Sequence, residues 1–223
     1  MREIVLDTET TGLDPVTGHR IVEIACLELT NHIPTGRSYH RYINPERDIP
    51  ADAVAVHGLT AEFLNDKPRF AEIAEELLTF IDGAPLVIHN AEFDVRFINA
   101  EFQRLERAPL DGGLVVDTLL LARQKFPGAP ASLDALCRRF GIDNSARSKH
   151  GALLDTGLLA DVYLELIGGR QAGLELLTAA RTTVVFATGG GTPRVPRPYA
   201  ATDEELVAHA ALVAKLKDPI WLQ

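Results

Sequence analysis

Positive charge is in short supply. The 223 residues include 22 Lys and Arg against 31 Asp and Glu, a net charge of −9. A protein that coats nucleic acid grips phosphates with a basic face, so that class is excluded. An enzyme whose carboxylates hold metal ions is not. Cysteine is scarce too: Cys26 and Cys137 are the two in the chain. They are too few for a disulfide framework and too far apart for a metal-type spacing, which suits reduced, buried thiols in a cytoplasmic protein. No uninterrupted apolar run reaches ~18 residues, so no membrane-spanning helix is expected. The opening MREIVLDTET places acids where a signal peptide needs an apolar core. Nor is there a compositional mark of disorder, with 46% hydrophobic and 24% charged residues. At ~150 residues per domain, the length suggests one domain plus an extension, or two small ones.

What is present begins with strands. Residues 3–6 (EIVL) form a short apolar run ending in Asp7, as in a buried central strand. Residues 20–29 and 39–43 are rich in Ile, Val and Tyr, and Asp14–Pro15 and Thr17–Gly18 mark a turn between the first two runs. Three strands without intervening helices suggest an antiparallel meander. The period then changes. Phe70, Ile73, Leu77 and Phe80 mark a helix over 69–82 that Gly83 stops. A strand is expected at 85–89, a helix at 91–107, a strand at 114–117 and a helix at 118–125. Ser132 caps a helix ending at Gly141, and a further helix spans 151–167. The class is therefore α/β with a mixed sheet. Residues 187–200 hold three consecutive glycines and three prolines, a linker composition. A last helix begins at Thr202, where T-D-E-E forms a capping box with Glu205 and Leu206, Ala210, Val213 and Leu216 form an apolar stripe.

Three short segments carry acids in suggestive places. Asp7 and Glu9 lie two apart on a strand, so both project from one face. Two adjacent acids repel, and a cation between them removes the penalty; their oxygens suit Mg²⁺ or Mn²⁺. Taken alone, such a pair is more often a solvated strand end. In His89–Asn90–Ala91–Glu92–Phe93–Asp94, Asp94 falls in a first helical turn, where the helix dipole alone would favour it. A catalytic role requires it to point toward Asp7. In the third segment His150 precedes a helix and Asp155 sits on it among Leu153, Leu154, Leu158 and Leu159. An acid in that setting needs a partner or a metal. Histidine titrates near neutrality and can serve as a general base, although a loop histidine after a basic stretch is also an ordinary feature.

In their order and spacing, DTETTGL, HNAEFDVRF and HGALLD resemble the three motifs of the DEDDh (DnaQ-like) 3′–5′ exonucleases. The match covers residues 3 to about 168 and includes VHGLT at 56–60. The stretches VHGLTAEFLNDKPRFAEIAEEL, SLDALCRRFGIDNS and HGALLDTGLLADVYLELIGG resemble, more narrowly, the proofreading ε subunits of bacterial DNA polymerase III. The resemblance implies an RNase H-like five-stranded mixed sheet flanked by helices. It also implies two-metal-ion hydrolysis of the 3′-terminal phosphodiester, with Mg²⁺ or Mn²⁺ as cofactor. Asp7, Glu9, Asp94 and Asp155 would hold the ions and His150 would take the proton from the attacking water. Glu9, Thr10, Thr11, Gly12, Leu13, Asp52, His57, His89, Phe93 and Asp155 would surround the terminal nucleotide. Similar family members carry Glu where this chain has Asp52, which leaves that contact open.

The resemblance also gives the tail a role. It divides the chain into an exonuclease domain (1–169), a clamp-motif segment and linker (170–201) and a polymerase-binding tail (202–223). Gln171, Leu174 and Leu176 look like a sliding-clamp peptide, a short motif that also arises by chance. Leu206, Val213, Leu216 and Trp221 would dock on the polymerase catalytic (α) subunit. The competing readings are a free-standing nuclease acting on RNA or short oligonucleotides, a non-catalytic adaptor joining clamp and polymerase, and a phosphatase or unrelated metal hydrolase.

Overall fold

The computed structural model describes residues 1–145, 147, 149–169 and 200–215. Its core is a five-stranded sheet of β1 (Arg2–Thr10), β2 (Ile21–Thr30), β3 (Ile33–Tyr42), β4 (Leu86–Ile88) and β5 (Val115–Asp117), in the order β3-β2-β1-β4-β5. β1, β2 and β3 pair antiparallel, forming the expected meander, while β4 and β5 run parallel to β1. β1 is the central strand. It outlasts its apolar run because Asp7–Thr10 remain paired with β2, as far as Thr10 opposite Ile21. β3 starts six residues before the expected 39, since the polar stretch from Ile33 serves as an exposed edge strand.

Helices cover both faces of the sheet. They are α1 (Ala51–His57), α2 (Ala61–Leu64), α3 (Phe70–Ile81), α4 (Ala91–Arg104), α5 (Thr118–Lys125), α6 (Leu133–Phe140) and α7 (Ala152–Leu166). Side chains alternate along β1. Ile4 and Leu6 enter one core with Phe70, Leu77, Phe97 and Phe102 of α3 and α4. Val5 enters the other, with Leu136, Leu158, Leu159 and Val162 of α6 and α7. Each of these large side chains stabilises the fold by ~1.5–3 kcal/mol on burial. The same parity decides where the acids go: Asp7 and Glu9 continue the Val5 side, toward α7, and Thr8 continues the Leu6 side, toward α4.

The helix ends follow local chemistry. Ser132 Oγ accepts from Ala135 N, and Gly141 closes α6 at φ 69°. α3 stops one residue before Gly83, on Asp82 at φ 45°. α4 stops at Arg104, short of the expected 107, because Glu106 turns into the left-handed region at φ 55°. In the tail, α8 (Asp203–Val213) carries the expected capping box: Thr202 Oγ1 accepts from Glu205 N, and the Glu205 carboxylate accepts from Thr202 N at 2.8 Å. The chain divides into units Met1–Glu175 and Leu176–Gln223. The linker and the domain boundaries near 170 and 201 fall on or beside residues outside those described.

Candidate active site

The C-terminal end of β1 meets the first turn of α4 and the start of α7. Asp94 is buried, and its Oδ1 accepts from the Thr8 N–H at 3.0 Å and from the Thr8 hydroxyl at 2.6 Å. Thr8 lies between Asp7 and Glu9, so these bonds hold Asp94 against β1, close enough for its charge to act on Asp7. The α4 N-terminus is itself anchored from β5. Both Asp117 oxygens accept from it, Oδ1 from Asn90 N and Oδ2 from Ala91 N, each at 3.2 Å. Asp117 also caps α5 through Leu119 N at 2.8 Å. His89 Nδ1 lies 2.9 Å from the Thr118 hydroxyl, and His89 and Asn90 line the same cleft as the acids.

Asp155 is buried in the first turn of α7, while His150 sits in the loop before it with its side chain 49% exposed. A ligand atom from each of Glu9, His150 and Asp155 falls within 4.8 Å of the others. Burial first, then the charges of Asp94, Glu9, Asp155 and Glu23, hold the Asp7 carboxyl well above the usual carboxylate range. Burial, then Asp155, Glu23 and Asp94, raises Glu9 to about 8 against an opposing pull from Arg147. Burial raises Asp94 to about 7 despite its bonds to Thr8. Such crowding is relieved by a cation, and an all-oxygen set beside one imidazole fits hard divalent ions.

Glu23 and Arg147, like the Asp117 anchor, escape sequence reading. Glu23, buried on β2 directly opposite Glu9, adds negative charge and pairs with His40 Nε2 at 2.7 Å. Arg147 looks in the sequence like part of a solvated basic stretch. Instead its side chain is 9% exposed, and its Nε and Nη2 donate to both Asp155 oxygens at 2.7 Å each. No spacing rule announces that pairing across a loop.

Two clefts adjoin at this point. One, of about 490 Å³, is lined by Asp7, Glu9, His89, Asp94, Arg147, His150 and Asp155. The other, of about 560 Å³, is lined by Thr10, Thr11, Gly12, Leu13, Asp52, His57 and Phe93. Glu9, Leu13 and Phe93 border both. All the residues expected at the metal centre and around the nucleotide are therefore brought together. A Cβ on Gly12 would lie 2.3 Å from the His19 ring, so a larger residue there would have to displace that ring. His57 Nδ1 accepts from Leu59 N at 2.9 Å, which puts the ring proton on Nε2. That buried N–H faces the Thr10 backbone without a well-formed hydrogen bond among the described residues. The VHG turn also props the loop that carries His150: His150 N donates to Val56 O at 3.2 Å. Of the tail positions, Leu206 is 54% exposed and Val213 7%. Gln171, Leu174, Leu176, Leu216 and Trp221 lie outside the described residues.

A family model described as "Exonuclease" matches residues 4–163, a span that holds every one of these acids. The chain belongs to this exonuclease family. A DNA polymerase III subunit epsilon from Rickettsia felis is 49% identical over 222 residues, covering 97% of both chains. The corresponding Escherichia coli K12 subunit is 44% identical over 232 residues, covering 94% of this chain and 91% of that one. The nuclease domain of 3′hExo, a DEDDh family member bound to rAMP, superposes with a TM-score of 0.65 at 17% identity, covering 74% of this chain and 91% of that one. That likeness is one of fold, and it matches the expected RNase H-like sheet flanked by helices.

Proposed function

We propose that this exonuclease works in the 3′–5′ direction on DNA and proofreads for the replicative polymerase. The observation that carries the reading is the junction of two clefts, one crowded with acids and one sized for a nucleotide. The terminal nucleotide would lie against Thr10–Leu13, His57 and Phe93, with its phosphate at the acids. Asp7, Glu9, Asp94 and Asp155 would hold two divalent ions, Mg²⁺ or Mn²⁺. Bound there, such ions supply Lewis acidity at the phosphate and ease deprotonation of water. His150, exposed at the rim, would accept the proton of the attacking water. The new bond joins water oxygen to phosphorus, the bond to the 3′-oxygen of the remaining strand breaks, and a nucleoside 5′-monophosphate leaves.

The net charge fits this division of labour. Residues 170–223 hold six Lys and Arg against five Asp and Glu, so residues 1–169 carry −10. A surface this acidic has no broad grip on DNA, and a partner must hold the rest of the strand. The α subunit of the polymerase would take residues 202–223, with the sliding clamp at Gln171–Leu176. A cytoplasmic location goes with these partners; among the described residues no helix is long and apolar enough to cross a membrane.

Excision from a mismatched 3′ primer tests the reading. Activity should require Mg²⁺, stop with EDTA and vanish in Asp7→Ala, while the variant still co-purifies with the polymerase subunit. Undiminished hydrolysis by Asp7→Ala would refute the site. Polymerase binding that survives deletion of residues 170–223 would refute the role given to the tail.

A further inference from the structure

Arg147 contacts three titratable side chains at once, Asp155, His150 and Asp134. Beyond its two bonds to Asp155, its Nη2 lies 2.9 Å from His150 Nδ1 and its Nη1 donates to Asp134 Oδ1 at 2.8 Å. A guanidinium can only donate and does not lose its proton. His150 Nδ1 is therefore an acceptor in this arrangement, and the proton of the neutral ring sits on Nε2. Neither ring nitrogen then offers a free lone pair to a water molecule. The same fixed positive charge faces the oxygens of Asp155, which lie with Glu9 within 4.8 Å of one another's ligand atoms. One side chain thus opposes both a cation at Asp155 and proton transfer at His150.

Asp134 supplies the alternative. It stands in the first turn of α6 with its side chain 47% exposed, and Asn144 Nδ2 pins the same Oδ1 at 3.0 Å. A small rotation of the guanidinium would exchange Asp155 and His150 for a fuller pairing with Asp134. We propose that Arg147 is a positioning residue that competes with a divalent ion for Asp155, and that Asp134 receives it when the ion binds. This rests on the reading that Glu9 and Asp155 hold an ion.

The competition predicts two variants of opposite sign, which a merely structural role would not produce. In calorimetric titrations of the full-length protein with Mn²⁺, Arg147→Gln should bind the tighter ion about tenfold more strongly, equivalent to ~1.4 kcal/mol. Asp134→Asn, which removes the receiving carboxylate, should bind it several-fold more weakly. Melting in EDTA should show Arg147→Gln less stable than wild type, with part of the loss recovered in Mn²⁺. Wild-type binding with unchanged or weaker Mn²⁺ affinity in Arg147→Gln overturns the competition while sparing the metal site. Tighter binding in Asp134→Asn overturns it as well, and that partly exposed position remains informative if Arg147→Gln does not fold. No Mn²⁺ binding by wild type removes the metal-site reading and the competition together.

Discussion

Two arginine–carboxylate pairs in this molecule have almost the same geometry and different consequences. Arg20 grips Glu101 through Nε and Nη2 at 2.6 and 2.8 Å, with the Glu101 side chain 2% exposed. Arg147 grips Asp155 at 2.7 Å twice, with Asp155 4% exposed. Around Glu101 the charges balance, because Arg104 adds a second guanidinium at 3.1 Å while Glu46 stands 3.7 Å from Arg20. Around Asp155 one arginine shares a cleft with Asp7, Glu9 and Asp94 as well. The first pair ties the chain just before β2 to α4. The second leaves a shortage of positive charge that a divalent ion can fill. The charge balance around a buried pair, more than the pair itself, separates structure from chemistry.

The sharpest way to break this comparison is to neutralise each acid in turn. Asp155→Asn should lower the excision rate ~1,000-fold or more, several kcal/mol of lost charge stabilisation. Its stability should fall by only ~1 kcal/mol, since Arg147 keeps Asp134 and one acid leaves a crowded cluster. Glu101→Gln should do the reverse: a loss of ~3 kcal/mol in denaturant melts, for leaving Arg20 half-paired in the interior, with the rate per folded molecule nearly unchanged. Equal stability losses at the two positions would erase the distinction.

Proton linkage separates the regions next. Glu9 rises from 4.5 to about 8 and Asp94 from 3.8 to about 7. The folded state therefore binds more protons than the unfolded one between those limits, and the stability they contribute declines as pH rises through that window. In EDTA the melting temperature should fall from about pH 5 to about pH 8, and saturating Mg²⁺ should flatten the decline by favouring the ionised acids. A melting temperature that climbs over that range in EDTA would contradict the crowding. The smallest expected effect is at Thr8. Thr8→Val should cost ~1 kcal/mol by removing the 2.6 Å bond to Asp94, and Thr8→Ser should restore both stability and rate.

Much of this was legible before any coordinates. The strand meander and the helices α3 to α7 follow from alternating and helical periods closed by Gly, Ser and Pro signals. α1 and α2 were not read: α1 begins after Pro50 without a side-chain cap, and α2 is a single turn held by Thr60. The five motif residues that line one cleft were legible because they stand in short local patterns, which a sequence displays directly. Arg147 was not, since its partners stand 8 and 13 residues away across a loop. Asp117 reaches back 26 and 27 residues to α4, and Glu23 meets Glu9 only through strand register. Such contacts are set by tertiary packing and leave no periodicity behind.

The most direct test of the acid cluster as a hydrolytic centre follows the oxygen of the attacking water. A mismatched 3′ primer should be digested by the full-length protein in H₂¹⁸O with Mg²⁺, and the small products weighed by mass spectrometry. Label should enter the phosphate of nucleoside 5′-monophosphates, and Asp7→Ala should yield none. Release of inorganic phosphate, or label appearing equally with Asp7→Ala, would contradict it.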